Sequence, residues 1–278
     1  MATAPTTAAP TTAAPTTAPA TETPAHAANP ALPVDGTYNF RTTGGYAAEG
    51  GRTVRNGKLF RSDALHRLTD AGRTSMAELG IATVIDLRDE TELATSPSAV
   101  DGLALDVAHY PIFPARRVPT SEALVSLAAV YRLIVEEHAD RIAGAVRLIA
   151  ASGEGAVLVH CTAGKDRTGL VIATALLAVG VDREQVLADY ATSGKNLSGP
   201  WTDAMLAAVA QHVQGPMTDE TRDLIVASPA PVLAEALDLI DATYGNAAGL
   251  LKAHGFSDEE LARLRDVLTV PASPASQN

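Results

Sequence analysis

The sequence predicts an α/β protein with a mainly parallel central sheet flanked by helices, and three observations carry that prediction. The apolar, partly β-branched run Ala156-Val157-Leu158-Val159-His160 reads as a buried parallel strand, and Leu170 to Val179, ending at Gly180, reads as a helix packed on it. Ile81 to Asp86 reads as another strand, following a helical stretch from Leu68 to Leu79 that Thr69 caps and Gly80 stops. Strands therefore alternate with helices, the order that a parallel sheet with crossover helices requires.

The remaining elements follow in chain order. Residues 1–33 repeat Ala-Pro-Thr-Thr units with a single charged residue, Glu22, and almost no large apolar side chains. They cannot bury a core and are expected to form a disordered Ala/Pro/Thr-rich tail. One domain is expected over residues 34–272, with 273–278 a flexible C-terminus. Asn56-Gly57, between Thr53-Val54-Arg55 and Lys58-Leu59-Phe60, is a hairpin signal. Leu105 to Tyr110 is a further strand candidate, and helices fill Thr120 to Ala151. Asp182 with Gln185 opens a helix toward Tyr190, and Ser257 with Glu260 is a capping-box pair ahead of Leu261, Leu264 and Leu268. Between them, 197–231 carries glycines, prolines, Trp201, Met205 and Met217 on short helical pieces. Two readings stand for it: a connector that packs its tryptophan on the core, or a lid over a pocket.

The chemistry lies between the central strand and its helix, in His160-Cys161-Thr162-Ala163-Gly164-Lys165-Asp166-Arg167-Thr168-Gly169. These ten residues read as a strand-to-helix loop whose amides, from Thr162 to Thr168, turn inward with the positive end of the helix to cradle a dianion. Gly164 lets the chain curl that tightly. A thiol facing a helix N-terminus and cations is drawn toward the nucleophilic thiolate, which makes Cys161 the expected nucleophile. Arg167 offers a planar fork for two phosphoryl oxygens, which a lysine cannot reproduce. Thr168 can donate its hydroxyl to the sulfur, or be an ordinary residue of the first helical turn. Lys165 adds positive charge at the mouth, and Asp166 brings a carboxyl group within reach of a leaving oxygen. His160 orients Cys161 through its ring, or is a satisfied structural histidine. The expected chemistry is phosphate-ester cleavage.

Rival readings fail on residue types. Gly164-Lys165 lacks the following Ser/Thr and the glycine five positions earlier that a nucleotide P-loop needs. A sulfurtransferase has no use for Asp166 as a proton donor. The only cysteine has no thiol partner and the seven histidines show no ligand spacing, so no metal and no organic cofactor is expected. A net charge of −11 argues against nucleic acid as partner, and an anion site must be a local positive pocket. No run is apolar enough for long enough to span a membrane. Prolines and threonines interrupt every candidate secretory segment near the start, which favours the cytoplasm.

The loop resembles that of the Cys-x5-Arg protein tyrosine phosphatases, specifically the bacterial tyrosine-protein and phosphoinositide phosphatases with the pattern His-Cys-x-x-Gly-Lys-Asp-Arg-Thr-Gly. The resemblance extends to Asn39-Phe40-Arg41 with Gly44-Gly45-Tyr46, Leu59-Phe60-Arg61-Ser62, Val84-Ile85-Asp86-Leu87-Arg88, Asp189-Tyr190, and Ile240-Asp241-x-Thr243-Tyr244-Gly245. It covers about residues 34–270. It implies a phosphatase-like fold and a cysteinyl-phosphate intermediate, with Cys161, Arg167 and Asp166 catalytic and Thr162, Ala163, Gly164, Lys165 and Thr168 binding the phosphoryl group. Phosphotyrosine, phosphoserine or phosphothreonine proteins and phosphoinositides are the implied substrates, and secreted relatives keep secretion open. After Phe113-Pro114 the family can carry an aspartate where this chain has Ala115, which moves the general acid to Asp166, with Asp86 and Asp89 behind it. Asp86 is expected to partner Arg88. Arg116 and Arg117 are a solvated pair or a substrate contact, and Arg41 and Arg61 line or brace the pocket. The alternative function is a phosphate-binding module without turnover. Oligomeric state is left open by the sequence.

Overall fold

The computed structural model describes residues 1, 27–113, 126–211 and 219–272. Its centre is the strand β7 (Ala156–His160), buried at every position. Val157 and Val159 face a large helical layer, whereas Ala156 and Leu158 face a smaller core on the other side. Burial on both faces explains why this strand reads as an unbroken apolar run.

Five strands form the main sheet in the order β1 (Arg41–Thr42), β4 (Leu59–Ser62), β7, β5 (Ile81–Asp86) and β6 (Asp106–His109). All neighbours are parallel except the β1–β4 pair at one edge. Register aligns Ser62 and Asp86 with His160, so three polar residues share the carboxyl end of the sheet. Ligands of open α/β sheets bind at that end.

The helix α5 (Asp166–Ala178) is buried at every residue from Thr168 to Leu176. A helix apolar all round belongs in the middle of a layer. It packs between α4 (Ala139–Ala151), α6 (Arg183–Asn196) and α10 (Ala247–Ala253), while α3 (Leu127–Glu137) lies on α9 (Ala230–Tyr244). On the opposite face, α1 (Asp70–Glu78) places Met76 against Val84 and Leu158. The expected caps are present: Thr69 accepts from Gly72, Asp182 from Glu184 and Gln185, and Ser257 and Glu260 form a capping box for α11 (Asp258–Leu268).

Three expectations change. Asn56-Gly57 is a turn but not a hairpin, because β3 (Arg52–Val54) pairs with β2 (Ala47–Ala48) and with β8 (Thr269–Pro271) in a separate sheet while β4 joins the main one. The catalytic loop is shorter than ten residues, since α5 already begins at Asp166. Contacts with the domain reach back before Val34: the Asn29 side-chain amide donates to Thr42 O and Gly44 O at 3.1 and 2.9 Å. Residues 2–26, 114–125, 212–218 and 273–278, with Ala115, Arg116, Arg117 and Met217 among them, lie outside the described residues. Among the described residues no helix is long and apolar enough to cross a membrane.

Candidate active site

Cys161 follows the last residue of β7 directly, and the turn from it to Lys165 connects to α5. The carbonyls of this turn are tied to its outer side. Thr162 O accepts from Ala64 N at 3.1 Å, Ala163 O from Asn39 Nδ2 at 3.0 Å, and Gly164 O from Asn39 Nδ2 at 3.2 Å and Arg61 Nη2 at 2.8 Å. In a planar trans peptide the N–H opposes the carbonyl it is bonded to, so the amides of Ala163, Gly164 and Lys165 point the other way, into the cradle. The first amides of α5 add to them, having no partner inside the helix. Gly164 has φ +65°, and a Cβ there would sit 2.1 Å from Ser62 O, so the turn requires glycine.

The clamp behind the turn is a buried ionic network. Arg61 Nη1 and Arg41 Nε donate to the Asp189 carboxylate at 2.6 and 3.1 Å, Tyr46 donates to it at 3.1 Å, and Arg41 also reaches Asn39 and Ser193. Burial, then the charge of Arg61, pulls Arg41 down to about 10 despite Asp189. Burial would raise Asp189, yet the two arginines hold it below the usual carboxylate range. Arg41 and Arg61 thus brace the loop from behind and do not line the cleft.

Arg167 is gripped by Glu92, the third residue of α2 (Glu90–Thr95), at 2.5 and 2.8 Å through Nη1 and Nη2. Thr162 Oγ1 donates to the same carboxylate, and Asp89 N donates to it at 3.0 Å. Burial opposes this charge, but Arg167 prevails and holds Glu92 at about 2. Asp89 caps α2 and Asp86 forms the expected pair with Arg88 at 2.7 Å. Both backup acids are therefore engaged elsewhere. His160 Nδ1 meets Cys161 O at 3.2 Å, and burial lowers its pKa although Asp86 lies 3.5 Å away. Neutral His160 fits the role of a rigid prop.

Asp166 keeps partial solvent access, with Lys165 Nζ 3.7 Å and the Tyr131 hydroxyl 3.1 Å from its Oδ1. Lys165 departs from expectation. Its side chain is fully buried and Nζ donates to Ile225 O and Ala227 O at 3.3 and 2.7 Å, at the carboxyl end of α8 (Asp219–Val226). A cation at a helix carboxyl end satisfies carbonyls that have no intrahelical partner. Thr168 is buried in the first turn of α5, and its Oγ1 has no hydrogen-bond partner among the described residues.

Beside the turn opens a cleft of about 420 Å³, with Thr162 and Glu92 on one wall and Tyr38, Trp201 and Met205 on others. Trp201 and Met205 come from α7 (Pro200–Ala210). Sequence reasoning missed Glu92, although Asp89-x-x-Glu92 is a capping-box signal. It singled out Asp189 only as part of the resemblance, without a role, and missed Tyr131; the partners of both are remote in sequence.

A strand, a glycine-turned cradle of amides and a buried helix, with a cysteine at the start and an arginine just beyond, constitute a cysteine-dependent phosphatase. Residues 32–270 match the model of the tyrosine phosphatase family. Among curated relatives, the triple specificity protein phosphatase PtpB of Mycobacterium tuberculosis is 33% identical over 274 residues, covering 84% of this chain and 97% of that protein. A tyrosine-protein phosphatase of Nostoc commune is 32% identical over 218 residues, covering 74% of this chain and 72% of its own. A crystal structure of TpbA from P. aeruginosa overlaps 61% of this chain and 91% of that one, at 19% identity and a TM-score of 0.36. The chain belongs to the tyrosine phosphatase family.

Proposed function

We propose that the protein hydrolyses phosphotyrosine, and with it phosphoserine, phosphothreonine and phosphoinositide monoesters, through a phosphocysteine on Cys161. The observation that carries this reading is the outward clamp on the carbonyls of residues 162–164, which leaves a ring of amides facing inward at the start of α5. The Cys161 sulfur bonds phosphorus as the P–O ester bond breaks, and the leaving oxygen keeps the electron pair and takes a proton from Asp166. Asp166 then removes a proton from water as the water oxygen bonds phosphorus and the P–S bond returns its electrons to sulfur. Glu92 grips Arg167 at its Nη end, so the Nε side of the fork serves the phosphoryl oxygens. The unbonded Thr168 hydroxyl supports its service to the sulfur.

Support for an aryl substrate comes from the apolar wall of Tyr38, Trp201 and Met205 beside the turn. The Mycobacterium tuberculosis relative, a triple specificity phosphatase, favours the broader range. Within 197–231, α7 acts as a lid in this reading, supported by its place on the cleft wall.

A phosphate-release panel of a phosphotyrosine peptide, a phosphothreonine peptide and a phosphoinositide tests the proposal. Wild type should release phosphate, and Cys161→Ser should release none while still binding the ester. No release from any substrate by wild type would sink the reading in favour of a binding module without turnover.

A further inference from the structure

Tyr131 and Tyr190 come from different helices, α3 and α6, and meet behind the catalytic turn. Their rings lie edge to face at 6.1 Å and each residue is 1% exposed. Phenylalanine would serve that packing equally well. What the hydroxyls add is a chain: Tyr190 and Tyr131 oxygens lie 2.9 Å apart, and Tyr131 lies 3.1 Å from Asp166 Oδ1.

The proton inventory fixes the direction of this chain. A phenol has one proton, and Asp166 Oδ1 accepts both in the carboxylate and in the acid protonated at Oδ2, so Tyr131 donates to Asp166 and Tyr190 donates to Tyr131. Burial, then the charge of Asp166, raises both phenols, so they stay protonated donors. Lys165 Nζ, 3.7 Å away, lies on the same oxygen, Oδ1. The charged groups facing this carboxyl are thus Lys165 and, from α5 itself, Arg167.

We propose that Tyr131, backed by Tyr190, is a positioning residue for the proton transfer, pinning Asp166 by Oδ1 so that Oδ2 carries the proton toward the leaving oxygen. The inference rests on the reading of Asp166 as general acid. As the P–O bond breaks, its electron pair remains on the leaving oxygen, the Oδ2 proton moves to it, and negative charge develops on Asp166. Part of that charge falls on Oδ1, where the Tyr131 hydrogen bond strengthens as the reaction proceeds. An interaction that grows toward the transition state accelerates the step.

The test compares kcat/KM for phenyl phosphate, a poor leaving group, with 4-nitrophenyl phosphate, a good one. Tyr131→Phe should lower the ratio of phenyl to nitrophenyl turnover by roughly tenfold, a fraction of the 10²–10⁴ that a general acid supplies. Tyr190→Phe leaves the Tyr131–Asp166 bond in place and should shift the ratio the same way by about threefold. It decides the case if Tyr131→Phe does not fold. In an Asp166→Asn background neither change should alter the ratio further. Equal slowing of both substrates by the tyrosine variants, or an undiminished ratio change without Asp166, would overturn the proposal while leaving the acid reading intact. An unchanged ratio in Asp166→Asn alone would remove the acid reading itself, and the proposal with it.

Discussion

Replacing Asp189 with asparagine removes the one carboxylate between two guanidinium groups that are 0% and 1% exposed, at 3.1 and 2.6 Å. Breaking a buried pair by deleting one partner costs about 3–5 kcal/mol, because the remaining charge stays buried without compensation. Here two charges are stranded, and the neutral amide still accepts from one of them, so ~4 kcal/mol is a fair central value. For a domain of this size each kcal/mol lowers Tm by about 2–4 °C, which gives a fall of roughly 6–20 °C. Activity should fall too. Arg61 joins Asp189 to the carbonyl of Gly164, so a displaced Arg61 frees that peptide to rotate and take the Lys165 amide out of the cradle. Loss of one such donor costs about 10²–10³ in kcat. Calorimetry and phosphate release at a temperature where the variant is folded measure both effects. A Tm within 2 °C of wild type would refute the argument that the ionic clamp holds the turn, and so would full activity in a destabilised variant.

Glu92 gives a pH prediction. Its carboxyl is held at about 2 against an ordinary 4.5, so its stabilisation is complete above the ordinary value and is lost as pH falls through the folded one. The difference is worth ~3 kcal/mol, and the stability gap between wild type and Glu92→Gln should close by about that amount from pH 5 to pH 2 in urea titrations. A gap independent of pH would show that Arg167 is held without this carboxylate. Gly164→Ala forces a methyl group to 2.1 Å from Ser62 O at φ +65°, so kcat/KM should fall at least about 100-fold as the turn shifts. Near-normal turnover would mean that the turn relaxes freely.

What was legible in the sequence is what local forces decide. The buried strand and helix, the turn between them and the caps at Thr69, Asp182 and Ser257 each depend on residues a few positions apart. The ionic clamp does not: Arg41 meets Asp189 across 148 positions and Arg167 meets Glu92 across 75. Asp89-x-x-Glu92 carries a helix-start signal that the sequence reading did not take up, and nothing local announces that this carboxylate would hold Arg167. The hairpin expectation failed for the same reason, since β3 sits between β2 and β8, the latter at the far end of the chain, while β4 joins the main sheet. Lys165 looked like a mouth residue because its charge was read without α8, whose carbonyls claim it.

These long-range pairs also explain how a chain of net charge −11 holds a phosphoryl dianion. Its overall field opposes the ligand, and screening confines any exposed charge to about 8 Å at physiological salt. The framework cations offer little remedy. Arg41 and Arg61 are engaged by Asp189, the Nη end of Arg167 by Glu92, and Lys165 by the end of α8. In the proposed mechanism, what faces the ligand is the set of peptide dipoles from Ala163 into the first turn of α5, fixed by bonds on their opposite sides, and the Nε side of Arg167. Dipoles act at contact and fade quickly with distance, so the site discriminates by fit and not by long-range attraction. The buried salt bridges serve that end indirectly: they immobilise carbonyls. Reorienting the cradle amides during catalysis would then require breaking bonds to Asn39 and Arg61, which keeps the electrostatic environment of the reaction organised before substrate arrives.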